Sequence, residues 1–165
     1  MNVRLLGLLS GAWLGTTAAS LAIPQNFSTG GVFAQRAGMR FEEFAAERET
    51  WTSGKLKGDW SVPEDGGEQT LQDEAVVFGL PAQEIKVERS SGRVGRFLVK
   101  FRSQSGKTAK GRLFDRVAQN VRSFTGDSGK SGGPEAQTFR HPGGVLITVR
   151  SKTADQVEVE FRPGS

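Results

Sequence analysis

Apolar residues recur along this 165-residue chain in two rhythms, and the points where the rhythm changes mark its elements. Over residues 40–51, Phe41, Phe44, Ala45, Arg48 and Trp51 fall at helical spacing amid Glu42, Glu43, Glu47 and Glu49. That pattern predicts a short helix with one apolar and one acidic side. From Val76 onward the period shortens to two. Val76-Val77-Phe78 leads into Gly79-Leu80-Pro81, Ile85 and Val87 alternate with Lys86 and Glu88, and Ser90-Ser91-Gly92-Arg93 turns the chain. Phe97, Val99 and Phe101 then share one face against Arg96, Lys100 and Arg102, the mark of a half-buried strand in a hairpin with its predecessor. The helical rhythm returns over 111–124, where Leu113, Phe114, Val117, Val121 and Phe124 form one stripe. Gly126 stands where a helix end wants a left-handed residue. Short alternating runs follow at 138–140, 145–150 and 157–161, with His141-Pro142-Gly143-Gly144 expected as a type II turn and Thr153-Ala154-Asp155 as another turn.

The order β-β-β-α-β-β-β predicts an α+β fold. It is an antiparallel sheet of about five to six short strands with one amphipathic helix on one face, plus a short N-terminal helix. Ile85-Lys86-Val87 and Phe101-Arg102 echo Ile147-Thr148-Val149 and Phe161-Arg162, a faint outline of a duplicated hairpin.

The first residues read as an address rather than as structure. Met1-Asn2-Val3-Arg4 is a positive start, Leu5 to Leu21 an apolar run diluted by Gly and Thr, and Ser20-Leu21-Ala22 a small-x-small end. This is the layout of a secretory signal peptide over 1–22, cut after Ala22 with Ala19 as the next choice, and the run is too short and too interrupted for a bilayer span. Residues 23–37, rich in Gly, Ser, Asn and Gln, are expected to be a flexible leader. Residues 38–74 form an acidic segment holding the short helix and a loop, and 75–163 the α+β core domain. The chain has no Cys, so an exported product must be stabilised by its core alone.

Charge divides the mature chain. Residues 23–75 hold 5 Lys and Arg against 10 Asp and Glu, whereas residues 76–165 hold 16 against 8. The basic part offers Arg93, Arg96, Lys100, Arg102, Lys107, Lys110, Arg112 and Arg116 as a possible surface for an anion or a partner. Tyr is absent, both Trp of the mature chain lie in the acidic part and most Phe belong to the core, so base stacking is not expected and neither is nucleic acid as a partner.

Two enzyme-like motifs share the glycine loop. Gly126-Asp127-Ser128-Gly129-Lys130-Ser131-Gly132-Gly133-Pro134 resembles the nucleophile loop of chymotrypsin-like serine proteases split by an insertion. In that family the histidine precedes the serine, whereas here His141 follows it and is the only one. Gly129-Lys130-Ser131 matches the tail of a phosphate-cradling loop, yet Phe124 stands where that loop needs its first glycine. A lone histidine supplies no zinc site, and the Asp and Glu residues of 42–74 decorate a helix and a loop. The expectation is therefore an exported, periplasmic or secreted, non-catalytic binding domain without cofactor or metal, contacting another exported protein or an anionic envelope polymer. The alternatives are a proteinaceous enzyme inhibitor presenting loop 125–135 and, further off, a hydrolase using Ser128 or carboxylates.

Overall fold

The computed structural model describes residues 30–51, 62–103 and 112–165. The expected signal segment 1–22, the expected leader up to residue 29, and Lys107 and Lys110 lie outside the described residues. The fold is α+β, mostly antiparallel sheet with a few helices. Helices α1 (Gly31–Arg36) and α2 (Phe41–Trp51) precede the strands β1 (Glu68–Val77), β2 (Leu80–Ser90) and β3 (Arg93–Arg102). Helix α3 (Arg112–Thr125) then leads to β4 (Lys130–Ser131), β5 (Ala136–Arg140), β6 (Val145–Thr153) and β7 (Gln156–Pro163). All pairings are antiparallel, in one sheet of order β1-β2-β3-β7-β6-β5-β4.

Strands β3 and β7 are central because both alternate cleanly. Phe97, Val99, Phe101, Val157, Val159 and Phe161 point inward and are each at most 2% exposed. The register Phe97↔Phe161, Val99↔Val159 and Phe101↔Val157 stacks them in pairs. Around this seam the chain is arranged twice as helix followed by a three-strand meander, α2 with β1 to β3 and α3 with β5 to β7. Both β2 and β6 carry a register irregularity just before a two-residue turn, at Glu88/Arg89 and at Ser151/Thr153. The echoed hairpins thus occupy matching places.

The segment expected to be a flexible leader instead ends inside the core. Val32, Phe33 and Ala34 of α1 are buried, and the Phe33 ring lies 4.9 Å from Phe97 and 5.4 Å from Phe161. A helix of six residues leaves no periodicity to detect, and its stability comes from the packing of Val32, Phe33 and Ala34. Phe41 and Phe44 of α2 are likewise fully buried, with Phe44 5.5 Å from Phe97. Residues 38–41 are tied to the start of β3 by Gly38 N–H to Val94 O (2.8 Å), Val94 N–H to Met39 O (2.9 Å) and Phe41 N–H to Gly92 O (2.9 Å).

Other differences have local causes. Strand β1 starts at Glu68, inside the stretch expected as loop, because an edge strand needs few inward residues and Leu71 and Val77 suffice. The glycine loop contains β4, whose two partner pairs, Lys130↔Thr138 and Ser131↔Gln137, are too few to leave a pattern. At 141–144 the left-handed residue is Gly144 (φ 85) rather than Gly143, so the expected type II turn is a turn closed by Gly144 N–H to His141 O (2.9 Å) with a left-handed glycine after it.

Two-residue turns with both central residues at positive φ close the β1–β2 and β2–β3 hairpins: Phe78 (φ 53) with Gly79 (φ 73), and Ser91 (φ 51) with Gly92 (φ 70). A phenylalanine in that conformation is strained. Phe78 is held there by Asn120 Nδ2, which donates to its carbonyl (2.8 Å), and by its ring, stacked on Phe161 at 5.8 Å and tilted against Phe124 at 5.4 Å. Asparagine suits such a turn better, yet Phe78→Asn is expected to lower stability by about 2–3 kcal/mol, since ring burial outweighs roughly 1 kcal/mol of relieved strain. A urea midpoint unchanged or raised would show that the turn, not the ring, governs this position.

Candidate functional site

The helices α1, α2 and α3 all lie on the apolar face of the sheet, where Phe78, Val117, Val121 and the seam phenylalanines meet. The opposite face is polar and, among the described residues, uncovered. Alternation puts Glu68 of β1, Glu84, Lys86 and Glu88 of β2, Arg96, Leu98 and Lys100 of β3, and Glu158, Glu160 and Arg162 of β7 on it. It continues through Leu146, Thr148 and Arg150 of β6, Thr138 and Arg140 of β5, and Lys130 of β4.

The basic residues singled out in the sequence do not form one surface. Arg96 is a hub for carboxylates: Nη2 to Glu68 at 2.6 Å, Nη1 to Glu160 at 3.3 Å, and Nε 2.6 Å from Glu88 but misaligned for donation to it. Burial works against its charge, but Glu88, the hydrogen bonds with Glu68 and Glu160, and the Glu68 charge outweigh it, so its pKa is raised. Lys100 meets Glu84 at 2.6 Å, and that hydrogen bond holds its pKa up against burial. Arg102 pairs with Asp155 at 3.2 Å, and the Asp155 carboxyl is lowered first by the Thr153 hydroxyl and then by Arg102. Arg93 donates to the Gly38 carbonyl (2.9 Å). Arg116 is exposed on α3, across the sheet from Arg96, and the side chain of Arg112 lies outside the described ones.

A different group of cations forms no ion pair among the described residues, although Asp127 lies near Lys130 and Arg140 and Glu158 stands opposite Arg150. Glu68, Glu84, Glu88, Glu158 and Glu160 are each within 3.8 Å of a cation on this face, whereas Lys130, Arg140 and Arg150 have no ion pair among the described residues. The three flank a pair of hydroxyls. Lys130 lies opposite Thr138, Thr138 lies opposite Thr148, and their Oγ1 atoms are 3.1 Å apart. Arg140 is two positions along β5 from Thr138, and Arg150 two along β6 from Thr148, on the same face. Beside them opens a cleft of about 530 Å³ lined by Asp127, Lys130, Thr138, Phe139, Arg140, His141, Pro142, Gly144 and Leu146. None of the three cations was part of the group singled out in the sequence. Lys130 entered only as part of the two enzyme-like motifs of the glycine loop, and no local pattern distinguishes an unpaired arginine from a paired one.

Asp127 shapes this cleft. Helix α3 ends with Gly126 (φ 70) and with Thr125 Oγ1 accepting from Asp127 N–H (3.2 Å). The Asp127 carboxylate accepts from Arg140 N–H at 2.6 Å and Gly129 N–H at 3.1 Å, which pins the loop to β5 and places Lys130. Those two bonds, Arg140 first, hold its pKa below the usual aspartate range. Its contribution to stability is therefore complete above that range and fades as pH falls through the lowered value. Asp127→Asn is expected to reduce hydrogen-exchange protection of the Arg140 and Gly129 amides several-fold at neutral pH, with wild type converging on the variant in acid. Equal protection at pH 7 would count against the pin.

Asp127 and His141 line the same cleft, while Ser128 is not among its lining residues. His141 Nδ1 accepts from Gly143 N–H (3.1 Å) and its ring stacks on Phe124 at 5.1 Å. A triad aspartate needs that nitrogen as a donor, so the contacts here are not those of a triad. No helix among the described residues is long and apolar enough to cross a membrane. No protein-family model matches the chain, and neither a curated protein nor a solved structure matches it.

Proposed function

We propose that this protein is an exported, non-catalytic binding domain that takes an anionic partner on its polar sheet face, at the end formed by β4, β5 and β6. One observation carries the reading: the carboxylates named on that face are each engaged by a cation, Glu158 opposite Arg150 by Lys152, while Lys130, Arg140 and Arg150 make no ion pair among the described residues and have Asp127, held by two backbone N–H groups, as the nearby acid of their cleft. Long cationic side chains on a rigid sheet attract polyanions at low ionic strength and lose them as salt screens the charges. Export rests on the leader pattern of residues 1–22 and suits an anionic envelope polymer as the partner. Retention of the processed protein on a phosphate-bearing resin at low salt, with release by about 0.5 M salt, is expected. Passage straight through at low salt removes the proposal.

A further inference from the structure

The deeper question is which anion the three cations fit, and the hydroxyl pair between them narrows it. We infer that Thr138, Thr148, Lys130, Arg140 and Arg150 hold a phosphomonoester carried on a sugar, with the sugar in the adjoining cleft. The inference rests on the anion-binding reading above.

From strand spacing, the backbone positions of Lys130, Arg140 and Arg150 each lie about 7 Å from the midpoint of the Thr138 and Thr148 pair. That is within reach of an extended lysine or arginine. The three donors approach from three directions: Lys130 across the edge, Arg140 from one end of the pair, Arg150 from the other. At the centre, one threonine hydroxyl donates to the other, and the second keeps its proton for a ligand oxygen. A phosphomonoester has three terminal oxygens and about −1.5 to −2 charge at neutral pH. It satisfies donors from three sides and approaches the three positive charges. A carboxylate has two oxygens in one plane and a single charge, which leaves a cation unmatched. Two of the three cations are arginines, whose planar forks take two oxygens of a phosphate at once.

The cleft supplies what the rest of the molecule needs. At about 530 Å³ it has the size of a small-ligand site. Pro142 and Leu146 give apolar wall for the C–H face of a sugar ring, while Asp127 and His141 give polar edges for its hydroxyls. Phe139, the phenylalanine of the lining, is fully buried, so it offers no open ring for a nucleobase. The phosphate sits on a free sugar phosphate or on a sugar unit of a polymer, and both present the same chemistry.

Calorimetric titration of the processed chain at low ionic strength tests this with glucose 6-phosphate, glucose, sulfate, acetate and dextran bearing phosphate monoesters. Glucose 6-phosphate is expected to bind at least about tenfold more tightly than sulfate or acetate, and glucose alone not measurably. Thr138→Val with Thr148→Val keeps shape and strand preference and is expected to weaken glucose 6-phosphate about tenfold while leaving the urea midpoint little changed. Arg150→Lys, which keeps the charge and loses the fork, is expected to weaken the sugar phosphate several-fold and to spare acetate. Phosphorylated dextran binding about a hundredfold more tightly than the free sugar phosphate identifies a polymer source, and equal affinity per phosphate a small molecule; either outcome upholds the phosphosugar. Equal affinity for glucose 6-phosphate, sulfate and acetate, or indifference to the double valine change, overturns it while resin retention leaves the anion surface standing. Failure of wild type to bind resin and sugar phosphate alike overturns both.

Discussion

Phe33→Ala is expected to lower the unfolding free energy by about 3–5 kcal/mol, the range for emptying a fully buried aromatic site. Phe33 is 0% exposed and touches the rings of Phe97 and Phe161, the inward residues at the two sides of the central seam. Domains of this kind are stable by only about 5–15 kcal/mol, so the variant should unfold at a much lower urea concentration and bind hydrophobic dyes near its midpoint. Glu43→Ala, on the exposed side of α2, serves as the control and should change stability by less than about 0.5 kcal/mol. A chain shortened to begin after residue 37 should fail to fold cooperatively. Cleavage after Ala22 or Ala19, the two expected points, leaves Phe33 in place. If Phe33→Ala unfolds like wild type, α1 is no part of the core.

Replacing Lys130, Arg140 and Arg150 together by Ala is expected to cut polyanion affinity by about 10- to 100-fold at low salt, from a few-fold for each exposed charge. Stability should barely change, because none of the three has an ion pair among the described residues. Arg96→Ala should do the reverse. It leaves Glu68, Glu88 and Glu160 facing one another, and Glu160 is only 6% exposed, so a loss of about 1–2 kcal/mol with polyanion binding retained is expected. Arg116→Ala, on the helical side of the sheet, should alter neither. Retention measured at several salt concentrations together with urea denaturation separates these outcomes. Binding lost with Arg96 and kept in the triple variant would return the site to the residues first suggested by sequence.

What sequence could show was limited by the range of the interactions that leave a trace in it. The helix at 112–125 and the seam strands were legible because each places many apolar residues at a fixed period, as Val117 and Val121 or Phe97, Val99 and Phe101 do. The left-handed Gly126 was legible for a similar reason, being one residue with one conformational role. Helix α1 was not, since a six-residue helix is too short to show a period, and Gly30 ahead of it reads as loop. Nor was β1 before Ala75, where an edge strand buries little and looks polar.

The candidate site was less legible still. Sequence drew attention to the basic C-terminal part, and Lys130 and His141 were noticed there for other reasons. The chain alone determines periodicity, turn chemistry and the balance of charge, because these are written in residues a few positions apart. Only the tertiary structure decides which charges remain available, because neutralisation is settled between distant residues: Arg96 meets Glu160 across 64 positions, while Arg140 and Arg150, on neighbouring strands, form no ion pair among the described residues. Coulombic partnership depends on distance in space, and no local pattern along the chain records it.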